Sequence, residues 1–131
     1  LVAGIPALQG HAHILASSAS SMVAHNGEQF SGIRGMHTFL HVKDATDIPR
    51  SLRVMHQRMI LAGHESHRLS SSGAFLNRSP VDLALRGPSQ PVFLRSQMSD
   101  GIEQDKLVEH YDGSEVLDTE NLIANLTQEE R

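Results

Sequence analysis

The 131-residue sequence has no cysteine, no tryptophan, four phenylalanines and one tyrosine. The absence of cysteine excludes disulfides, thiolate metal sites and cysteine nucleophiles. Because aromatic side chains are scarce, the core must be built from aliphatic residues, Met and Ala, and few rings could stack on nucleic-acid bases. No apolar run is long enough to cross a bilayer, and no segment is typical of a signal peptide. We therefore expect a soluble protein without membrane contact, in a compartment that the sequence does not fix.

The length is that of one ordinary domain, which buries about two-thirds of the surface that its unfolded chain exposes. The aliphatic content is high enough for the chain to fold alone. The sequence begins at Leu1 instead of methionine, which indicates processing or a fragment of a longer protein. We expect a single small domain.

Charge is divided unevenly along the chain. Residues 1–98 carry nine basic and five acidic side chains, and residues 99–131 carry two basic and ten acidic side chains. The net charges of +4 and −8 add up to the net charge of −4 of the whole sequence. This division predicts a compact basic body over 1–98 and an acidic helical C-terminal segment over 99–131 of the same domain. It also predicts a neutralising contact, either within the chain or with a partner.

The clearest predicted element is a helix between Asp47 and Gly63. Asp47 can cap it, Pro49 lies in its first turn, and Gly63 can adopt the left-handed conformation that ends a helix. An apolar stripe along one face consists of Ile48, Leu52, Met55, Met59 and Ala62. Just before this helix, residues 36–43 alternate in polarity and predict a strand.

Weaker signals predict four more helices. The spacing of Ala12, Leu15, Ala19 and Met22 predicts a helix from about Gln9, and Ser79-Pro80 can open a short one that reaches Arg86. Ser99 or Asp100 can open a helix that reaches about Tyr111, and Asp118 can open the last. Residues 64–78 are interpreted as a connection, and residues 92–95 as a short strand. The expected fold class is therefore α+β and helix-rich, with few short strands.

Histidine is the most suggestive residue type, because it is the commonest metal ligand and titrates near neutral pH. On a strand, His11 and His13 would face the same way about 7 Å apart, close enough to share a cation. On a helix they would diverge, and the apolar spacing of residues 12–22 favours the helix. We propose His11 and His13 as candidate metal ligands. A third ligand would have to come from His37, His64, His67 or nearby acids.

The segment Leu8-Gln9-Gly10-His11-Ala12-His13-Ile14-Leu15 resembles the first metal-binding strand of the amidohydrolase superfamily. That family has an aspartate where this chain has Gln9, and its activity needs a complete barrel, which 131 residues cannot build. Residues 14–18, Ile33-Arg34-Gly35 and Asp44-Ala45 resemble the middle of flavin-dependent pyridine-nucleotide oxidoreductases. The glycine-rich phosphate loop of that family does not follow, so no nucleotide cofactor is expected.

No Walker loop, nucleophile elbow or kinase signature occurs, and the catalytic residues are unknown. Arg50, Arg53 and Arg58 could contact phosphates, but the negative net charge and the scarcity of aromatic residues make a nucleic-acid partner unlikely. We expect a non-enzymatic interaction or assembly subunit that docks on a protein partner or on another copy of itself through complementary charged faces. The alternative is a small hydrolase or lyase that depends on histidine, or on a divalent metal as its cofactor, and uses His11 and His13.

Overall fold

The structure is a computed structural model that describes residues 5–93, residue 95 and residues 99–131. Strands account for 28% of the described residues and helical segments for 23%. The expected helix-rich class is therefore wrong, and the fold is small and β-rich. The physical reason is that short apolar spacings fit a strand as well as a helix, and backbone pairing between distant segments decides which one forms. None of the helices in the described ranges is long and apolar enough to cross a membrane.

The described residues form eight strands and two α-helices. The strands are β1 (His13–Ser17), β2 (Val23–His25), β3 (Glu28–Gln29), β4 (Met36–Leu40), β5 (Ser66–Leu69), β6 (Phe75–Arg78), β7 (Ile102–Gln104) and β8 (Val108–Tyr111). The helices are α1 (Ile48–Leu61) and α2 (Thr119–Leu122), with 3-10 turns at Pro6–Leu8, Ala45–Asp47 and Leu83–Arg86. All strand pairs are antiparallel, in the orders β4-β1-β8, β3-β2-β7 and β5-β6.

The chain divides into two compact units. The first, here called the helix unit, contains residues 1–9, 42–90 and 117–131, and the second, the sheet unit, contains residues 10–41 and 91–116. Each unit is therefore assembled from segments that are distant in sequence. The predicted division at residue 98 rests on charge alone and stays a prediction.

In the helix unit, α1 confirms the helix predicted between Asp47 and Gly63. Pro49 lies in its first turn, and Gly63 follows its end with a φ of 78°. Met55 and Met59 of the apolar stripe are buried, whereas Arg53 is exposed. The other buried apolar residues of this unit are Ile5, Leu8, Val54, Val81, Leu117, Ile123 and Leu126. The amphipathic pattern therefore places Met55 and Met59 correctly, but the buried face also includes Ser51 and Val54, and Ala62 of the predicted stripe is exposed.

The remaining elements of the helix unit are shorter than predicted. The carboxylate of Asp118 caps α2, as expected, but this helix spans a single turn. The helix predicted from Ser79 is only the 3-10 turn Leu83–Arg86, and its cap is Asp82. Residues 64–78, interpreted as a connection, form the β5-β6 hairpin, in which Gly73 turns with a φ of 81°.

In the sheet unit, the helix predicted from about Gln9 is wrong, because β1 and β2 occupy this segment. β1 lies between β4 and β8, so it is hydrogen-bonded along both edges, which no helix in its place could satisfy. The backbone also turns through positive φ at Gly10, Met22 and Asn26, which interrupts helical geometry. The strand predicted over 36–43 is confirmed as β4, although it ends at Leu40.

The predicted acidic helical C-terminal segment is also wrong. β7 and β8 replace the helix expected to reach Tyr111, because β7 pairs with β2 and β8 completes the second edge of β1. Of the strand predicted over 92–95, Leu94 lies outside the described residues, and Val92 and Phe93 are not in a strand.

Candidate functional site

His11 and His13, the predicted metal ligands, lie at the start of the central strand of the sheet unit. His11 forms an isolated bridge with Ser114, whose hydroxyl lies 2.7 Å from His11 Nδ1. The His13 ring stacks on Tyr111, its register partner on β8, with centroids 4.5 Å apart. The backbone here is extended, not helical as the apolar spacing favours, and each imidazole has its own partner.

A metal site at this position would need a further ligand. His13 Nδ1 lies 2.8 Å from the carbonyl oxygen of His11, which makes this nitrogen a hydrogen-bond donor. In the described part of the chain, no three His, Asp or Glu side chains are arranged to hold a metal ion. His67, one of the candidate third ligands, packs against Phe75 in the β5-β6 hairpin. The metal site at His11 and His13 therefore stays a prediction.

The sequence patterns do not reveal a contact between His56 and Ser79 in the helix unit. The Ser79 hydroxyl lies 2.8 Å from His56 Nδ1 and accepts a hydrogen bond from the amide of Val81. A serine beside an imidazole can act as a nucleophile with its general base. Such a catalytic arrangement also requires a third group that orients the imidazole. Within the described ranges, no carboxylate contacts His56. The pair therefore serves to tie the segment after β6 to α1.

A serine-rich turn after β1 is held by two side chains from the β7-β8 segment. Lys106 Nζ donates to the carbonyl oxygens of Ser17 and Ser18 at 2.6 and 3.1 Å, and Gln104 Nε2 donates to three carbonyls of the turn. Burial, together with the charge of Arg95, lowers the pKa of Lys106. These donors hold the backbone of the turn through its carbonyl oxygens, so we assign the cluster a structural role.

Arg50 is the centre of a network that joins α1 to the C-terminal segment of the helix unit. All five of its N–H groups donate, to both carboxylate oxygens of Asp47, to the carbonyls of Thr119 and Ile123, and to Asn125 Oδ1. The hydrogen bond between the two side chains lowers the pKa of Asp47 and raises that of Arg50. Arg50 is therefore already neutralised within its own unit.

Two more ion pairs connect the C-terminal segment to other parts of the helix unit. Lys43 Nζ lies 2.7 Å from Asp118, and Arg58 Nη1 lies 3.5 Å from Glu130. The hydrogen bond from Lys43 is the main cause that lowers the pKa of Asp118 to about 2. The neutralising contact that the charge division predicts is thus formed in part within the chain. Of the three arginines predicted as a basic face, Arg53 is the one without an acidic partner among the described residues.

The β5-β6 hairpin is the most exposed regular element of the helix unit. Leu69 and Phe75 are register partners on one face, and their exposed fractions are 72% and 66%. Arg68 and Arg78 lie on the opposite face, because neighbouring residues of a strand alternate. In the described structure, its substantial contacts are those between its own two strands. Since a two-stranded hairpin alone is marginally stable in water, this element favours contact with another surface.

The sheet unit has an acidic strand edge at β8, whereas the hairpin carries Arg68 and Arg78. Residues 99–116 contain six acidic side chains and one lysine, and β8 is an edge strand of its sheet. Val108 on β8 is half exposed, and the neighbouring Glu109 accepts a hydrogen bond from the Tyr111 hydroxyl at 2.6 Å. The edge therefore combines unpaired backbone groups, apolar surface and negative charge.

Comparison with protein-family models, with curated proteins and with solved structures finds no match for this chain.

Proposed function

We propose that the protein is a non-enzymatic assembly subunit, in which the β5-β6 hairpin of one copy adds to the β8 edge of a second copy. The observation that carries this proposal is the exposure of Leu69 and Phe75 on a hairpin that lies outside the core of its unit. Both the hairpin and β8 present strand edges that are unpaired in the described structure. Strand addition satisfies such edges with main-chain hydrogen bonds.

Side chains on both faces support this pairing. Adding the hairpin to β8 would bring its apolar face, with Leu69 and Phe75, beside Val108. The opposite face, with Arg68 and Arg78, would then lie on the side of Glu109, since successive residues of β8 also alternate. Both faces therefore gain complementary neighbours from a single docking geometry.

Charge also explains why the hairpin, and not a second β8 edge, is the expected partner. Two β8 edges would bring two copies of the acidic segment 99–116 together, which is unfavourable. The hairpin carries Arg68 and Arg78, so it is complementary to the acidic segment 99–116. Such charges set orientation and partner choice more than affinity, and salt screens them over about 10 Å. Self-association should therefore weaken as salt rises.

The test is sedimentation of the full chain over a range of concentrations, at low and high salt. We expect reversible self-association that Arg68→Glu with Arg78→Glu abolishes, and that Glu109→Arg on β8 also abolishes. Mixing the two variants should restore a complex, because their charges are again complementary. Arg86→Glu, which reverses an exposed charge outside the hairpin, is the matched control.

A wild-type chain that stays monomeric at every concentration would overturn the proposal. The same holds if the hairpin variant associates as the wild type does. Circular dichroism of each variant confirms that a lost complex does not reflect unfolding.

A further inference from the structure

The helix unit contains a cavity of about 300 Å³ between α1 and the C-terminal segment. It is lined by Arg50, Arg53, Val54, Gln57, Asn125, Leu126 and Arg131. The four residues from α1 lie on one helical face, because they are spaced by three, one and three positions. Its volume is at the lower end of the range of small-molecule sites, roughly 300–1,000 Å³.

The polar groups around this cavity are almost all hydrogen-bond donors. Arg53 and Arg131 are exposed and have no acidic or hydrogen-bond partner in the described ranges, and no carboxylate side chain lines the cavity. Asn125 accepts from Arg50 through Oδ1, which leaves its amide N–H groups free. A wall of unpaired donors with two free guanidinium groups matches a ligand that carries oxyanion acceptors.

Arg50 has a different part in this arrangement. Its five N–H groups are occupied by Asp47, by backbone carbonyls and by Asn125, so it has none left for a ligand. It holds the C-terminal segment against α1 and fixes the orientation of the Asn125 amide. Arg50 therefore holds the walls of the cavity in position, whereas the donors of Arg53 are not used by another residue of the described structure.

The floor of the cavity is apolar. Val54 and Leu126 are both buried, with exposed fractions of 4% and 8%. An apolar floor below a rim of cationic donors suits a ligand with an apolar body and one anionic end.

We infer that this cavity binds a small organic oxyanion, a carboxylate or a phosphate ester with an apolar body, and that Arg53 contacts its oxygen atoms. No residue of the hairpin or of β8 lines the cavity, so the inference does not depend on the proposed self-association.

Nuclear magnetic resonance titration of the full chain at constant ionic strength tests this site. The probes are phenyl phosphate, benzoate, inorganic phosphate and, as an uncharged control, benzyl alcohol. We expect the two aromatic anions to shift the amide signals of Arg53, Gln57 and Leu126, and to bind more tightly than inorganic phosphate. Binding of phenyl phosphate but not of benzoate would assign the site to phosphate esters, and the reverse result to carboxylates.

Variants separate a specific site from general attraction by positive charge. Arg53→Ala should weaken binding of the better aromatic anion by about tenfold to a hundredfold, the value of a charge-assisted hydrogen bond, and Arg53→Lys should weaken it less. Arg86→Ala removes an exposed arginine that does not line the cavity, and should leave binding unchanged. Equal losses in Arg53→Ala and Arg86→Ala, or no saturable shifts with either anion, would overturn the inference. Because Arg53 is exposed, its variants should melt as the wild type does.

Discussion

At the scale of single residues, Asp118 serves two neighbouring segments at once. Its carboxylate accepts from the backbone amide and the side-chain amide of Asn121, which caps α2. It also forms the ion pair with Lys43, so the cap of a very short helix is fixed to a distant part of the chain. A helix of one turn cannot form alone, since nucleation is unfavourable. These contacts explain why α2 nevertheless forms at this position.

The lowered pKa of Asp118 predicts a pH dependence of stability. Its carboxyl titrates near 3.8 when unperturbed and at about 2 in the folded protein. The stabilisation is therefore complete above about pH 4 and is lost as the pH falls toward about 2. Asp118→Asn should slightly lower the melting temperature at neutral pH, because the pair is partly exposed, and the difference from wild type should vanish near pH 2.

Thermal melting followed by circular dichroism across this pH range checks the prediction. Asp112→Asn removes an exposed carboxylate without a side-chain contact in the described structure, and is the matched control. A constant difference between wild type and Asp118→Asn down to pH 2 would show that the cap acts without the charge.

At the scale of elements, α1 is the helix that the sequence pattern predicts best, although only Met55 and Met59 of its apolar stripe are buried and Ala62 is exposed beyond its end. Its apolar stripe has the helical period, its first turn contains proline, and a glycine with positive φ follows its end. β8 shows the opposite case. Its residues fit a helical pattern, but it forms a strand because β1 has an edge to be paired. Short elements are decided by their neighbours, and long periodic ones by their own sequence.

The burial of Met59 on α1 predicts a clear difference between two substitutions on the same helix. Met59 is 2% exposed, so Met59→Ala should lower the free energy of unfolding by about 2–5 kcal/mol through lost apolar burial and a residual cavity. Leu61 is 55% exposed, and Leu61→Ala should change the free energy of unfolding by about 0.5 kcal/mol or less. Urea denaturation measures both values. Similar losses in the two variants would mean that the buried side of α1 is misassigned.

At the scale of the whole molecule, charge is distributed differently between the two units than along the sequence. The helix unit contains eight basic and eight acidic residues, and the sheet unit contains three basic and seven acidic residues. The C-terminal segment 117–131 contributes its acids to the neutral helix unit. The excess negative charge therefore lies in the sheet unit, where segment 99–116 contributes most of it.

Removing the C-terminal segment 117–131 is expected to destabilise the helix unit. Residues 117–131 contribute Leu117, Ile123 and Leu126 to the core, besides the ion pairs of Asp118 and Glu130. Deleting them should abolish cooperative unfolding of the helix unit, and not simply remove an acidic surface. Glu129→Gln in the full chain, which removes only an exposed charge, is the control and should keep the wild-type transition. Thermal melting and the dispersion of amide resonances measure the result, and a truncated chain with a wild-type transition would contradict this role.

The predicted site shows the same limit of sequence reasoning. The types of His11 and His13 suggest metal chemistry, but the sequence does not show that Ser114 and Tyr111 are their neighbours. The sequence also does not show that Arg53 and Asn125 have free hydrogen-bond donors. This depends on the folded structure, in which Asp47 pairs with Arg50 and not with Arg53.

The sequence by itself determined the position of α1, the strand at Met36, the cap at Asp118 and the absence of any cysteine chemistry. These features depend on local periodicity, capping and composition, which are properties of a few adjacent residues. The tertiary structure alone decided that β1, β7 and β8 are strands, that residues 64–78 form an exposed hairpin, and that Arg50 is neutralised while Arg53 is free. The physical reason is that strand pairing and ion pairing join residues far apart in sequence, and their free energy exceeds the weak local preferences of short segments.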